Sequence, residues 1–431
     1  MKKNKVKLLI IYIMTAILIV VGFSINSTTI LAVPSTKDVL QNAPAGMKVK
    51  NYMDKVDTYS GGGTNQAKIT YAGDGNSYPS DTVRMLSAEA SDSMQLGSIW
   101  GSVTGSGATL NGNYFDLYKP QKVSAWVYMG DAANPTIDGL AFVIQNDPNG
   151  YDAISRYNGV PKGGETLGVW GATATPEVLN SPISPEKNAI QNSVAIELDS
   201  TMNKDYNWEN DNSFDSKNNG EEFKLNHIAW GYPGQSDTYK AYEKGFSLGI
   251  LNFKKYYYEM NHNIFRNSNN MLMSGYDGVE ATVGNAWRHL VITYTPIKNS
   301  DDTITSGTID YLFNDQFPDG TKKKYTDWNS GSGTIDLSAL NAKATSGKAM
   351  WGFTAATGSP DSATKDIEMV FENMPMVANV TSSMTMTDVS TDRVIEDYEK
   401  NKNKVKSTVY NGAKLNFNYQ LHYDSGMADT G

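Results

Sequence analysis

From about Asn51 to Val380 the chain repeats one kind of local pattern: short apolar or alternating runs broken by Gly, Asn, Asp and Pro. The strongest are Lys122–Tyr128, Gly139–Gln145, Ser193–Leu198, His289–Thr295 and Thr308–Phe313. Turn formers bound these runs, and β-branched and aromatic residues recur in them, which is the signature of strands. No stretch of comparable strength carries a 3.6-residue period. So long a succession of strands cannot bury its apolar faces in one sheet, and two stacked sheets are the arrangement that can. The expected fold is therefore all-β, an antiparallel sandwich. The 38 glycines and 25 tyrosines fit it, because they suit pleated strands and tight turns.

The two ends differ in texture. Lys2, Lys3, Lys5 and Lys7 precede an apolar run from Leu8 to Phe23, and Ile30-Leu31-Ala32-Val33 follows. This is the layout of an export signal, so residues 1–32 are expected to be a signal peptide cleaved after Ala32. The run is slightly short for a spanning helix. Membrane contact is expected only through this segment, if it stays uncleaved. Residues 33–50 read as a linker and 51–380 as the main domain. Residues 381–431 read as the start of a small β domain, with a strand near Lys414–Tyr419 and a lysine-rich stretch at Glu399–Lys406. The sequence leaves open whether that small domain is complete.

The absence of cysteine excludes thiol catalysis and cysteine-ligated zinc. In an exported chain it points to a Gram-positive bacterium, because eukaryotic export routes usually exploit disulfides. The expected location is secreted and cell-surface associated. The net charge of -9 argues against nucleic acid as a partner, since phosphate backbones repel an acidic surface.

Four segments carry candidate chemistry. Asp138 follows a Pro/Thr turn and opens the apolar run Gly139–Ile144. Gly163 and Gly164 form a pair that lets backbone approach a ligand closely. Glu197 and Asp199 lie two residues apart, so on a strand they project from one face. Two adjacent carboxylates repel unless a cation sits between them, and a hard divalent ion meets that need. Asn203 follows, with an amide oxygen able to bind metal and an NH₂ able to face a ligand. His227 opens the run His227–Gly231 after a stretch crowded with Asp205, Glu209, Asp211, Asp215, Glu221 and Glu222. Taken singly, each has a plainer reading: an exposed polar strand face, a turn, a solvated loop or a structural histidine.

Their order is more telling. Asp-Gly-Leu-Ala-Phe-Val at 138, Gly-Gly-x-x-Leu-Gly-Val-Trp at 163 and Val-Ala-Ile-Glu-Leu-Asp-Ser-x-x-Asn at 194 come first. His-Ile-Ala-Trp at 227, Trp-Arg-His-Leu-Val-Ile-x-Tyr at 287 and Gly-Phe-Thr-Ala-Ala-Thr-Gly at 352 follow. This set, spanning about residues 90–375, resembles the L-type (legume-lectin-like) lectins, in particular the lectin domains of Gram-positive surface proteins. The resemblance implies a concanavalin A-like jelly roll that binds glycans on a host, bacterial or self surface. It implies Asp138, Gly163, Gly164 and Asn203 as carbohydrate-binding residues, with a cis peptide before Asp138. It implies Glu197, Asp199, Asn203, Asp215 and His227 as metal ligands, for Ca2+ and for a second divalent ion such as Mn2+. Asp205 and Asp211 rival Asp215, because the stretch before His227 is longer than in legume members. Position 201 is Thr where an aromatic is common. The fourth, specificity-setting loop is expected near Ser359–Thr364, and Tyr206, Trp208 and Trp230 are candidates to stack on the sugar.

The expectation is a binding protein, not an enzyme. Jelly-roll glucanases use a Glu-x-Asp-x-Glu strand, whose two glutamates flank the scissile bond. Here the strand reads Glu197-Leu198-Asp199-Ser200-Thr201, and Thr201 cannot serve as general acid. A structural surface module with no working sugar site is the other alternative.

Overall fold

The computed structural model describes residues 36–73, 75, 77–87, 94–130, 137–173, 182–203, 213–215, 226–248, 251–267, 272, 287–324, 329–357, 366–376, 379–395 and 408–425. The expected signal peptide, residues 1–32, lies outside them, as do Ser359–Thr364 and the lysine-rich stretch.

Two antiparallel sheets form the body. The eight-stranded sheet runs Met53–Asp54, Gln95–Gly101, Lys348–Thr357, Gly139–Gln145, Ser193–Asp199, His227–Gly231 and Asn263–Asn267, with Phe115–Asp116 paired to the start of Lys348–Thr357. The seven-stranded sheet runs Asn329–Asp336, Ile304–Phe313, Arg288–Lys298, Gln121–Tyr128, Ile367–Asn373, Thr82–Leu86 and Lys68–Thr70. The chain passes between sheets at successive strands, from Thr82–Leu86 to Gln95–Gly101, from Gln121–Tyr128 to Gly139–Gln145 and from Lys348–Thr357 to Ile367–Asn373. These crossings set sequence-distant strands side by side, which makes the sandwich a jelly roll. All five runs picked out from the sequence are strands.

Strand alternation divides the side chains between two cores. Leu140, Phe142 and Ile144 on one sheet meet Val123, Ala125, Val127, Leu290 and Ile292 of the other. Phe353 packs on Phe371 at 5.8 Å and Phe115 on Tyr294 at 5.5 Å. Truncating one of these rings to Ala would cost about 3–5 kcal/mol. The edge strand Asn329–Asp336 fits here only because Gly333 is bare: a Cβ there would lie 2.6 Å from the Trp230 indole. The opposite face of the eight-stranded sheet is also covered. Ala141, Val143 and Ala195 lie beneath Leu167, Val169, Trp170, Phe214, Tyr239, Tyr258 and Met260. Each of the two buried faces thus has its own apolar cluster.

Two expected boundaries are corrected. Residues 36–50, read as linker, pack on the sandwich: Thr36–Gln41 is a helix, and Val39 and Ala43 join Trp126, Tyr128, Trp287 and Val370 in a third cluster. The two apolar residues Val39 and Leu40 were too few to show a helical period. At the other end the strand Asn379–Asp388 begins before residue 381. It pairs with Leu415–Ser425 and Arg393–Ile395 as a three-stranded sheet.

Beside the third cluster sits a buried histidine. His289 Nδ1 lies 2.6 Å from Asp315 Oδ1 and Nε2 lies 2.8 Å from Glu372 Oε2. Lys322 donates to Asp315 and the Trp126 indole donates to Glu372. Only an imidazolium satisfies both carboxylates at once. Burial pushes the His289 pKa down, but hydrogen bonds and charge from Asp315 and Glu372 outweigh it and leave the value raised. Because the folded value exceeds the unfolded one, this contact stabilises fully below pH about 6.5 and fades as pH climbs through the folded value. His289→Gln should cost about 2 kcal/mol at mildly acidic pH. The variant's deficit should shrink as pH rises. Thermal melts of both proteins across the pH range test this, and a pH-independent deficit would count against it.

Candidate functional site

Glu197 and Asp199 lie on the face of the eight-stranded sheet that points away from the inter-sheet core, since Val194, Ile196 and Leu198 point into that core. Their neighbours across the sheet are small. Ala141 and Ala229 flank Glu197, and Gly139 and His227 flank Asp199. Alanine and glycine leave the volume that two carboxylates and their partners need. Gly139 is constrained further: a Cβ there would sit 2.5 Å from the Leu198 carbonyl oxygen.

Glu197 is fully buried and held on both oxygens. The Trp170 indole donates to Oε2 at 2.6 Å, while His227 Nε2 lies 3.1 Å and His262 Nδ1 3.2 Å from Oε1. The two imidazoles stack, with centroids 5.0 Å apart. His227 Nε2 also lies 3.8 Å from Asp215 Oδ1. Two sets of potential metal donors therefore share His227: Glu197, His227 and His262, and Asp199, Asp215 and His227. Within each set the donor atoms lie within 4.8 Å of one another.

The electrostatics are those of crowded acids. Burial, then the charges of Asp215, Glu197 and Asp138, hold the Asp199 pKa well above the usual carboxylate range. Burial also pushes Glu197 up, but His262, His227 and Trp170 outweigh it and leave it lowered. Burial drives His262 down to about 4, with His227 adding to the shift and Glu197 opposing it.

Asn203 and Asp215 are tied together. The Asn203 amide donates to Asp215 Oδ2 at 2.9 Å, and the Asp215 amide donates to the Asn203 carbonyl at 2.9 Å. Asn203 Oδ1 is buried and has no hydrogen-bond partner among the described residues. A buried amide oxygen left so costs about 1–3 kcal/mol, which a cation would offset. Glu165 aims this segment: its Oε2 accepts from the amides of Ser213 at 2.9 Å and Phe214 at 3.2 Å. Ser213 is anchored again through its hydroxyl to the Tyr258 carbonyl.

Asp138 adjoins the same cluster. Its amide donates to the Ala356 carbonyl and its carbonyl accepts from the Ser200 amide. The expected cis peptide is not found: the Ile137–Asp138 bond is trans. The Ile137 carbonyl instead accepts from the hydroxyls of Ser200 at 2.6 Å and Thr201 at 2.9 Å. Hydroxyls at 200 and 201 fix this backbone directly. Gly163 comes to the same strand end, where a Cβ on it would touch Ala356 at 3.4 Å; the next residue, Gly164, has φ +64° and a Cβ on it would meet nothing within 4 Å among the described residues.

The structure thus gathers Asp138, Gly163, Glu197, Asp199, Asn203, Asp215 and His227 around one end of the eight-stranded sheet. Trp230 is a correction: it lies between the sheets, 6.3 Å from the Phe265 ring, and cannot stack on a sugar at this end. Tyr206, Trp208, Asp205 and Asp211 lie outside the described residues. Sequence reading missed His262 and the positioning roles of Glu165 and Trp170. Both of the latter stand inside the Gly163–Trp170 segment, where their spacing carried no sign of contact with 197 or 213. His262 had one faint signal, being one of only four histidines.

No family model and no curated protein matches the sequence. Among solved structures, the chain is similar to a lectin from Bauhinia forficata in complex with GalNAc, at 13% identity and TM-score 0.36, covering 71% of this chain and 88% of that one. It is similar to lectin I-B4 from Griffonia simplicifolia in its metal-free form, at 14% identity and TM-score 0.36, covering 75% and 92%. It is also similar to lectin I from Ulex europaeus with the methyl glycoside of α-L-fucose, at 14% identity and TM-score 0.31, covering 74% and 96%. The jelly-roll arrangement stands on this chain's own sheet topology.

Glu165→Ala removes the acceptor of both hydrogen bonds that aim the Asp215 segment. Where this cluster holds a divalent cation, as proposed below, the affinity for it should fall about 10- to 100-fold, the range typical when an outer partner of a ligand is lost. Calorimetric titration with calcium measures it, and Glu165→Gln should recover part of the loss by restoring an acceptor. An affinity unchanged in the Ala variant would remove Glu165 from this role.

Proposed function

We propose that this chain is an exported surface protein whose sandwich binds carbohydrate at a site organised by divalent cations. One observation carries the reading: buried Glu197, Asp199 and Asp215 converge on His227, and the adjoining Asn203 side-chain oxygen is buried with no hydrogen-bond partner among the described residues. Asp138 and the Gly163–Gly164 turn border that cluster. The donor types fit: Asp199, Asp215 and Asn203 offer oxygens suited to Ca2+, and Glu197 with His227 suits a second ion such as Mn2+ or another transition metal. Bound cations would neutralise the repulsion among these carboxylates and fix the chain around Asn203 and Asp215.

The protein's own groups then do the recognition. Asp138 accepts hydrogen bonds from adjacent sugar hydroxyls. The Gly164 amide, on an open backbone, donates to the same sugar. Asn203 turns its oxygen toward the cation and its NH₂ toward the ligand. Such shallow sites bind weakly, so adhesion to glycans on a host, bacterial or self surface would draw on many copies. The basic and apolar residues at the start and the lack of cysteine support export to a Gram-positive cell surface.

Binding is favoured over hydrolysis by access. Glu197 is fully buried under Trp170 and the two imidazoles, so it cannot reach a scissile bond. Thr201, where a glucanase needs its second carboxyl, spends its hydroxyl on the Ile137 carbonyl.

Glycan-array binding in calcium and again in EDTA tests the reading. Binding that calcium supports and EDTA removes is expected. Binding indifferent to EDTA would end the metal-assisted mechanism, and no binding by a cooperatively melting protein would favour a structural module. Asp138→Ala should abolish binding while leaving the melting transition in place. Full binding by that variant would sink the site assignment.

A further inference from the structure

We propose that His262 is a direct nitrogen ligand of the second ion, making the Glu197–His227 end of the site a zinc-class centre with two imidazoles. This rests on the metal-assisted reading above and sharpens its chemistry. The family resemblance implies one histidine here, and a second imidazole changes which metal the site prefers.

The geometry supports direct ligation. Tetrahedral zinc with bonds of about 2.0–2.1 Å separates its ligand atoms by about 3.3–3.4 Å. His227 Nε2 and His262 Nδ1 stand 3.1 and 3.2 Å from the same oxygen, Glu197 Oε1. All three side chains are buried, and one donor atom of each lies within 4.8 Å of the others.

The surroundings hold those donors in place. Trp170 donates to the other oxygen of Glu197, Oε2, so the carboxylate presents Oε1 to both rings. That is the orienting partner a ligating carboxylate needs. His262 follows an anchored segment, in which the Met260 amide donates to the Phe214 carbonyl and the Asn261 amide donates to the Thr238 carbonyl. Gly231 lies against both: a Cβ there would be at ordinary contact distance from the Trp170 ring, 3.4 Å, and from the His262 Cβ, 3.7 Å.

The donor set decides the metal. Imidazole nitrogen suits zinc and copper, whereas manganese and calcium favour oxygen. At the oxygen-rich end, Asp199, Asp215 and Asn203 keep the preference for calcium. The two ends therefore select different ions even though they share His227 in their donor sets.

The test uses the full chain, stripped with a chelator and loaded with one equivalent of Cu2+ as a nitrogen-counting probe. The electron paramagnetic resonance superhyperfine pattern should show two imidazole nitrogens in wild type and one in His262→Gln. Zinc affinity should fall at least tenfold in that variant, with manganese affinity changing less. One nitrogen in wild type overturns the proposal whether or not the variant folds. So does a pattern unchanged in His262→Gln, or two nitrogens persisting in a His227→Gln, His262→Gln double variant. Glycan binding is read separately on protein reloaded with both zinc and calcium. A two-nitrogen centre in a protein that binds no glycan would retire the lectin reading alone, and glycan binding with a one-nitrogen centre would retire this inference alone.

Discussion

Two carboxylates on the covered face of a strand are the constraint around which this structure is arranged. Glu197 and Asp199 alternate with Ile196 and Leu198, so burying the hydrophobic core forces both acids out on the other side. That side is not left to water: loops carrying Leu167, Trp170 and Phe214 close over it. An isolated ionised carboxylate in such a place costs far more than its strand gains, so it must be paired, neutralised or bound to a metal. Glu197 is paired, through Trp170, His227 and His262. Asp199 is surrounded by other acids and is pushed toward its neutral form. The unequal treatment of two residues on one strand divides the site into a nitrogen-rich end and an oxygen-rich end.

The loops read most naturally as devices for holding this cluster. Glu165 stands one residue beyond the Gly163–Gly164 pair yet hydrogen-bonds the amides of Ser213 and Phe214. The turn that borders the proposed sugar site therefore also aims the Asp215 carboxylate. Thr201 and Ser200 do the same for Ile137 and Asp138 from the far end of the acidic strand. The backbone proposed to face a ligand and the side chains proposed to face a cation are tied together by short hydrogen bonds. A disturbance at one is expected to reach the other without a large rearrangement.

Sequence legibility followed the range of each interaction. Strands were legible because alternation is local: Gly139–Gln145 reads the same in sequence and in space. Glu197, Asp199, Asn203 and His227 were legible because the acids share a strand and the others open or follow one. The role of His262 was not, because its pairing with Glu197 depends on how the Leu251–Met260 strand returns to the sheet edge. The helix at Thr36–Gln41 was missed for a related reason. Its apolar face is two residues wide, and what it covers are the Trp126 and Trp287 rings, which are buried with it in the third cluster. Trp230 runs in the opposite direction: it stands among the candidates to stack on a sugar, but strand parity sends position 230 inward and 227 outward.

The same parity bears on the choice between binding and hydrolysis. A retaining glycosidase needs two carboxyls about 5–5.5 Å apart, both open to a sugar lying across the strand. In this sandwich the outward positions of the Ser193–Asp199 strand are roofed, and what lies beyond its end is Ser200 and Thr201, both bonded to the Ile137 carbonyl. Restoring a glutamate at 201 would not by itself create a catalytic pair. The new side chain would lose the hydroxyl that holds Ile137, and Glu197 would still lie beneath the Trp170 indole. The feature that makes this strand suitable for holding cations, a covered face lined with Ala141, Ala229 and Gly139, is the one that keeps substrate away from it.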